Sequence, residues 1–278
     1  MQTYKFILIC PILKIFAKKS LIFAYLYSIM AISNNEIKRV RSLHQKKFRD
    51  ETGLFIVEGE KMVKEASASA FLVEQTYYRN EIGTEAMSRI SALSNPSPAL
   101  ALVRKPEDIY IDSASSLAPL FLKGGLFLAL DSIRDPGNLG TILRIADWFG
   151  IDAVLATADT VDVFNPKVVQ ATMGAIFRVK MHYVDIEAVA RMILDAGGRV
   201  YGTFLDGGNL YSKELETGKD SPVMIVIGNE SEGISEGMAD LVSDRLYIPP
   251  YPADSPGSES LNAAIATAIT VAEFRRRI

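Results

Sequence analysis

The sequence predicts an α/β fold built around a parallel sheet and preceded by a smaller α/β domain. Hydrophobic residues make up 49% and charged residues 23% of the 278-residue chain, which favours a packed protein over a disordered or fibrous one. In the second half, short apolar runs alternate with helical stretches, as in a sheet covered on both faces. The predicted strands are 126–130, 153–156, 200–205, 223–228 and 246–248, and the predicted helices are 138–149, 186–196 and 260–277.

The residues before this alternating pattern predict a separate small domain. From Ser33 a polar cap opens a basic helical segment, apolar runs at 54–57 and 99–103 indicate buried strands, and a helix between them turns Met62, Val63 and Ala66 inward. The Ser-, Pro- and Gly-containing segment 113–125 predicts a linker, so the expected domains are 30–112 and 126–278. The basic residues are Lys38, Arg39, Arg41, Lys46, Lys47 and Arg49, and they indicate either a solvated face or a surface for an acidic ligand.

Residues 1–29 differ in character from the rest of the chain. Pro11 and three lysines divide them into apolar runs of about ten residues or fewer, whereas a membrane span needs about 20. We therefore expect a non-native or flexible extension and a cytoplasmic protein without a membrane anchor. A secretory or anchoring segment is the less favoured alternative.

Composition excludes several kinds of site. Cys10 is the single cysteine, so no intramolecular disulfide forms, and with His44 and His182 as the two histidines no structural zinc site is expected. The net charge of -3 does not indicate a nucleic-acid-binding protein, but a basic surface can exist within an acidic chain.

The stretch DSIRDPGNLGTILRIADWFG, residues 131–150, predicts a strand end, a tight turn and a helix. Asn138 is the expected N-cap and Gly150 the expected end of that helix. Arg144 and Trp148 point away from the apolar stripe of the helix, which indicates either solvated side chains or a face covered by a partner subunit.

Two further motifs follow predicted strands. The segment VIGNESEGIS places Gly228 and Glu230 just after a buried strand. The segment SESLNAAIA opens the last helix, with Ser258 or Ser260 as its expected cap, and includes Asn262.

Each motif alone also fits an ordinary turn or cap, but together they predict one composite site. Parallel strands bring their carboxyl ends to one edge of the sheet, where open α/β sheets bind ligands. The sequence has no GxGxxG fingerprint of a common dinucleotide site.

In this order, DPGNLGTILRIAD, VIGNESEGIS and SESLNAAIA resemble the signature motifs of the SpoU/TrmH family of RNA 2'-O-ribose methyltransferases, in the SPOUT class. The segment KRVRSLHQKKFRDETGLFIVEGEKMV is similar to the RNA-binding domain that precedes them in the family. The resemblance implies a C-terminal trefoil knot, a homodimer, S-adenosylmethionine as cofactor, no metal, and structured RNA as substrate, rRNA before tRNA.

The resemblance also implies the site residues. Its RNA-facing set is Asn138, Arg144, Glu230, Ser260 and Asn262, with Arg144 holding a phosphate and orienting the ribose hydroxyl. Its cofactor set is Thr203, Gly228, Ile248 and Leu261.

Two departures from the family pattern are visible. Ser132 stands where many members carry asparagine, and the loop 249–258 is longer than usual. The longer loop keeps open the alternative of a catalytically inactive RNA-binding assembly factor with the same fold.

Overall fold

The computed structural model describes residues 32–252 and 260–278, and the extension expected over residues 1–29 lies outside them. These residues form two sheets and eleven α-helices, joined by turns and loops. The helices are α1 Asn34–Ser42, α2 Lys46–Thr52, α3 Glu60–Ala68, α4 Arg79–Ile82, α5 Thr84–Ile90, α6 Ala118–Phe121, α7 Pro136–Trp148, α8 Pro166–Thr172, α9 Ile186–Asp195, α10 Glu236–Ala239 and α11 Ala263–Arg276. The strands are β1 Leu54–Glu58, β2 Val73–Tyr78, β3 Ala99–Arg104, β4 Gly125–Leu130, β5 Ala153–Ala156, β6 Met181–Tyr183, β7 Arg199–Asn209, β8 Pro222–Ile227 and β9 Asp244–Tyr247.

The first sheet is small and antiparallel, with strand order β1-β3-β2. Strand β1 is buried along its whole length, as its uninterrupted apolar run predicts. One side of the sheet packs on α1 and α5, and the other packs on α3 through Met62, Val63 and Ala66. The predicted inward face of that helix is therefore observed.

The second sheet has six strands in the order β6-β5-β4-β8-β7-β9, and every neighbouring pair is parallel. Its central strands β4, β5 and β8 alternate between two apolar clusters, one on each face of the sheet. A strand covered on both faces needs a continuous apolar run, which explains why these strands were readable from the sequence.

Two cap predictions were wrong, and both errors have the same cause. The N-cap of helix α7 is Asp135, three residues before Asn138, and Pro136 occupies the first helical position, where a missing N–H costs nothing. Helix α11 begins at Ala263 and its cap is Asn262, so Ser260 does not cap it. In each case neighbouring residues all favour a cap, and the backbone path selects one of them.

The segment 113–125, expected to be a linker, is folded. It forms a 3-10 turn at Ala114–Leu117 and then α6, and β4 begins at Gly125. Phe121 packs against Phe127 with ring centroids 4.9 Å apart. Apolar side chains of this segment therefore belong to the core of the second sheet.

The two sheets are joined through a continuous apolar core. The rings of Phe55 on β1 and Phe164 before α8 lie 4.6 Å apart, and residues of both sheets share one buried cluster. Beside them, the Arg49 guanidinium forms a buried ion pair with Asp162 at 2.6 Å. The small sheet is thus packed onto the larger one by buried contacts.

The trefoil knot stays a prediction. Within the described ranges, no helix combines the length and the apolar character needed to cross a bilayer.

Candidate functional site

A chain of hydrogen bonds joins the three motifs at the carboxyl edge of the parallel sheet. The Asn138 side-chain amide donates to Glu230 Oε1, and Asn262 Nδ2 donates to Asn138 Oδ1 at 2.8 Å. We call these three side chains the polar bridge. Asn138 is 8% exposed, so its amide is held in place between a carboxylate and a second amide. The predicted convergence of the motifs is therefore observed for these residues.

Local capping positions two members of the polar bridge. Asp135 Oδ1 accepts a hydrogen bond from the Asn138 backbone N–H at 2.8 Å, which starts α7 and places Asn138 in its first turn. Asn262 Oδ1 accepts from the backbone N–H of Ala264 at 3.0 Å. Since its oxygen is committed to the cap, the Asn262 amide nitrogen is directed toward Asn138.

Two further residues tie the turns of the first and second motifs together, and the sequence did not single them out as site residues. Asn229 donates from Nδ2 to the Ser132 carbonyl at 2.7 Å, while its Oδ1 accepts from two backbone N–H groups of its own turn. Asp131 is 4% exposed and accepts from the Ser235 N–H at 2.8 Å. The signal available in the sequence was a polar residue directly after an apolar strand, because a polar group buried there needs a hydrogen-bond partner.

Arg144 does not join the polar bridge within one chain. It follows Asn138 by six residues, which places it about 120° around α7 and about 9 Å along its axis. It is exposed, and residues 32–252 and 260–278 contain no salt-bridge partner for it. Ser260 is exposed as well, and among the described residues no hydrogen bond involves its hydroxyl. The roles assigned to these two residues stay predictions.

Three of the four predicted cofactor residues lie within or just after adjacent strands, and Leu261 lies just before α11. Thr203 is on β7, Gly228 follows β8 and Ile248 follows β9, which are neighbours in the sheet. All four are at least partly solvent-accessible, and Leu261 is 47% exposed.

The chemistry of this group fits S-adenosylmethionine. It offers backbone groups, one hydroxyl and two apolar side chains without a charged group, as a neutral adenine ring with apolar faces requires. The packing of its own turn requires glycine at position 228, since a Cβ there would lie 2.3 Å from the carbonyl carbon of Gly233. The cofactor contact at Gly228 stays a prediction.

The basic segment of the small domain is largely neutralised by its own carboxylates. Arg39 pairs with Glu36 at 2.9 Å, and that hydrogen bond lowers the pKa of Glu36. Arg49 is buried against the other sheet. Lys46 and Lys47 pair with carboxylates of α2, which leaves Lys38 and Arg41 exposed and without ion-pair partners among the described residues.

Helices α7 and α11 each expose a large apolar side chain, Trp148 at the end of α7 and Ile265 near the start of α11, and we call the exposed surface of these two helices the α7/α11 face. The helices run parallel, because Asn262 contacts Asn138 at one end and Arg275 donates to the Phe149 carbonyl at 2.8 Å at the other. Trp148 is 85% exposed and Ile265 is 50% exposed. Large apolar side chains on adjacent helices favour a surface that a partner covers.

Comparison with known proteins decides the family. The model of the SpoU rRNA Methylase family matches residues 125–272, and that of the MRM3-like substrate binding domain matches residues 34–101. The chain belongs to the SpoU rRNA methylase family. It is 29% identical to the 23S rRNA (guanosine(2553)-2'-O)-methyltransferase RlmP of Bacillus subtilis, over 89% of this chain and 98% of that protein.

Solved structures match both parts of the chain together. A putative RNA methyltransferase of the TrmH family from Porphyromonas gingivalis is 37% identical, with a TM-score of 0.77 over 89% of this chain and 99% of that one. An AdoMet-bound rRNA methyltransferase from Sinorhizobium meliloti is 30% identical, with the same TM-score over 89% of this chain and 97% of that one. The expected family, the parallel-sheet α/β fold with its small N-terminal domain, and the enzyme class are confirmed.

Proposed function

We propose that this protein transfers a methyl group from S-adenosylmethionine to a ribose 2'-hydroxyl of rRNA. The observation that carries the proposal is the polar bridge, which places three side chains from three separate motifs at one edge of the sheet. Membership of the SpoU rRNA methylase family supports rRNA before tRNA as the substrate. With rRNA as its substrate, we place the enzyme in the cytoplasm.

The chemistry needs a positioned nucleophile. S-adenosylmethionine supplies an electrophilic methyl group on a positively charged sulfur. The ribose oxygen would bond to the methyl carbon as the methyl–sulfur bond breaks in line with it, S-adenosylhomocysteine would leave, and the hydroxyl proton would pass to water. Orientation of the hydroxyl is therefore the task of the protein. The amide of Asn138, fixed by Glu230 and Asn262, holds the ribose in that orientation.

Arg144 completes the site from a second copy of the chain in this proposal. An arginine scarcely deprotonates, so its role is to bind the phosphate beside the target ribose and thereby orient the hydroxyl. Its position on α7 prevents it from reaching the polar bridge of its own chain. It lies instead beside the α7/α11 face, where a partner subunit would meet it.

Subunit exchange tests this arrangement directly. Asn138→Ala and Arg144→Ala should each lower methyl transfer about 100-fold, the usual cost of removing one positioned polar group. When the two inactive variants are mixed, about one quarter of wild-type activity should return, because half of the dimers are mixed and each has one intact site. Failure to recover activity after verified exchange would show that each site takes Asn138 and Arg144 from the same chain.

Dimerisation has its own test at the α7/α11 face. Trp148→Glu puts a charge into the proposed interface, and light scattering should then report a monomer. Leu122→Glu is the matched control, because Leu122 is 81% exposed and lies outside that face. If the Trp148→Glu variant forms an assembly of the same mass as the wild type, the interface lies elsewhere.

The activity itself is measured with labelled S-adenosylmethionine and deproteinised rRNA or tRNA. Incorporation into rRNA, reduced in Asn138→Ala and retained in Asn80→Ala, supports the proposal, since Asn80 is an exposed amide of α4 away from the polar bridge. If calorimetry detects no binding of S-adenosylmethionine, the alternative of an RNA-binding assembly factor replaces it.

A further inference from the structure

Arg134 stands at the mouth of the site between two carboxylates. It lies in the turn before α7, four residues from Asn138, and its Nη2 is 3.4 Å from Glu232 Oε2 and 3.8 Å from Asp159 Oδ2. The side chains of Arg134, Glu232 and Asp159 are all more than half exposed. Arg134 therefore joins the turns of the first and second motifs at their solvent side.

The charges around Arg134 are otherwise negative. Segments 131–138 and 228–236 form the two turns that carry Asn138 and Glu230, and together they contain five carboxylates and one cationic side chain, Arg134. A strand of RNA that brings its ribose to the polar bridge carries a phosphate on each side of that ribose. Within these two turns, Arg134 is the one group whose charge attracts them.

The present partners of Arg134 are easily exchanged. Ion pairs between exposed side chains contribute about 0–1 kcal/mol, so their loss costs little. A guanidinium binds a phosphate through two parallel hydrogen bonds, and this geometry is stronger than the single long contacts to Glu232 and Asp159. Exchange of carboxylate for phosphate is therefore favourable when RNA is present.

We propose that Arg134 binds a phosphodiester of the RNA strand at the mouth of the site, and that Glu232 competes with the RNA for it. The inference rests on the proposed function for the presence of RNA. The phosphate contact of Arg134 is separate from that of Arg144. Arg134 lies beside the polar bridge of its own chain, whereas Arg144 is proposed to reach the polar bridge of the partner chain. Glu232 then holds the guanidinium at the mouth when no RNA is bound.

Three variants test the proposal by equilibrium binding to a transcript of Bacillus subtilis 23S rRNA. Arg134→Gln should weaken binding about tenfold, as expected for loss of a charge-assisted hydrogen bond. It should also reduce the slope of log Kd against log salt by about 0.7–0.9, the value of one phosphate contact. Glu232→Gln breaks the same ion pair but frees Arg134, so it should tighten binding.

Arg191→Gln is the matched control. Arg191 on α9 is 60% exposed and pairs with Glu187 at 3.7 Å, so it resembles Arg134 in exposure and pairing but lies away from both turns. Binding by this variant should keep the wild-type Kd and salt slope.

The outcomes separate a binding role from a structural one. If Arg134 only holds the two turns together, Glu232→Gln will weaken binding as Arg134→Gln does, and the inference is overturned. An unchanged salt slope in Arg134→Gln overturns it too. Both readouts need only RNA binding, so a wild-type protein that binds the transcript but methylates no RNA would refute the proposed function and leave this test intact.

Discussion

Replacing Arg49 by methionine removes one side of the buried ion pair that joins the two sheets. The guanidinium is 2% exposed and donates to Asp162 Oδ2 from Nε at 3.1 Å and from Nη2 at 2.6 Å. Its Nη1 donates to the carbonyls of Leu43 and His44 at 2.9 and 3.0 Å. Methionine fills a similar volume but leaves the Asp162 charge buried without a cation.

The magnitude follows from that uncompensated charge. Breaking a buried pair on one side costs about 3–5 kcal/mol. The entropy of unfolding for a chain of this size is about 0.6 kcal/mol/K, so the midpoint of thermal unfolding should fall by about 5–9 °C. Arg104→Met is the control, because Arg104 pairs with Glu74 at the same 2.6 Å but is 48% exposed. Its loss should cost less than about 1 kcal/mol.

A double-mutant cycle in urea isolates the pair. Asp162→Asn keeps Oδ1 as the acceptor for the Phe164 N–H at 3.0 Å while it removes the charge. The Arg49→Met, Asp162→Asn double variant should be more stable, by about 2 kcal/mol, than the sum of the single losses predicts. Additive losses, or equal effects of Arg49→Met and Arg104→Met, would refute the conclusion that burial makes this pair strong.

Three further predictions concern single residues. Gly140→Ala should destabilise the protein by about 1–3 kcal/mol in thermal unfolding, because the new Cβ would lie 2.4 Å from the Ala171 Cβ where α7 crosses α8. If the variant is as stable as the wild type, the two helices are not packed this closely. Gly228→Ala should lower methyl transfer about 100-fold by displacing the turn that carries Glu230, and full activity would show that the turn adjusts. The hydrogen bond from Arg276, with that from Arg277, lowers the pKa of Glu273 from 4.5 to about 2. Wild-type stability should therefore fall as pH drops from 4.5 to 2, and Glu273→Gln should lose this pH dependence. Acid-unfolding curves of the two proteins that run parallel would contradict this.

The parallel sheet was predictable where strands are buried on both faces. Strands β4, β5 and β8 are continuous apolar runs, and their predicted bounds differ from the observed ones by one residue at most. Strands β2 and β6 were missed, since half of the residues of β2 are exposed and β6 is a three-residue edge strand that contains His182. The ring of His182 contacts the Asp108 carbonyl at 2.7 Å, a partner that no local pattern indicates.

The sequence by itself determined that three polar motifs follow parallel strands, and therefore that they meet at one edge of the sheet. Only the tertiary structure decided which side chains touch there. Because α7 starts from Asp135, Asn138 points toward Glu230 and Asn262, and the helical rotation turns Arg144 away from them. Likewise, Arg49 belongs to a basic run in the sequence, but its contact with Asp162 spans 113 residues and depends on how the two sheets pack.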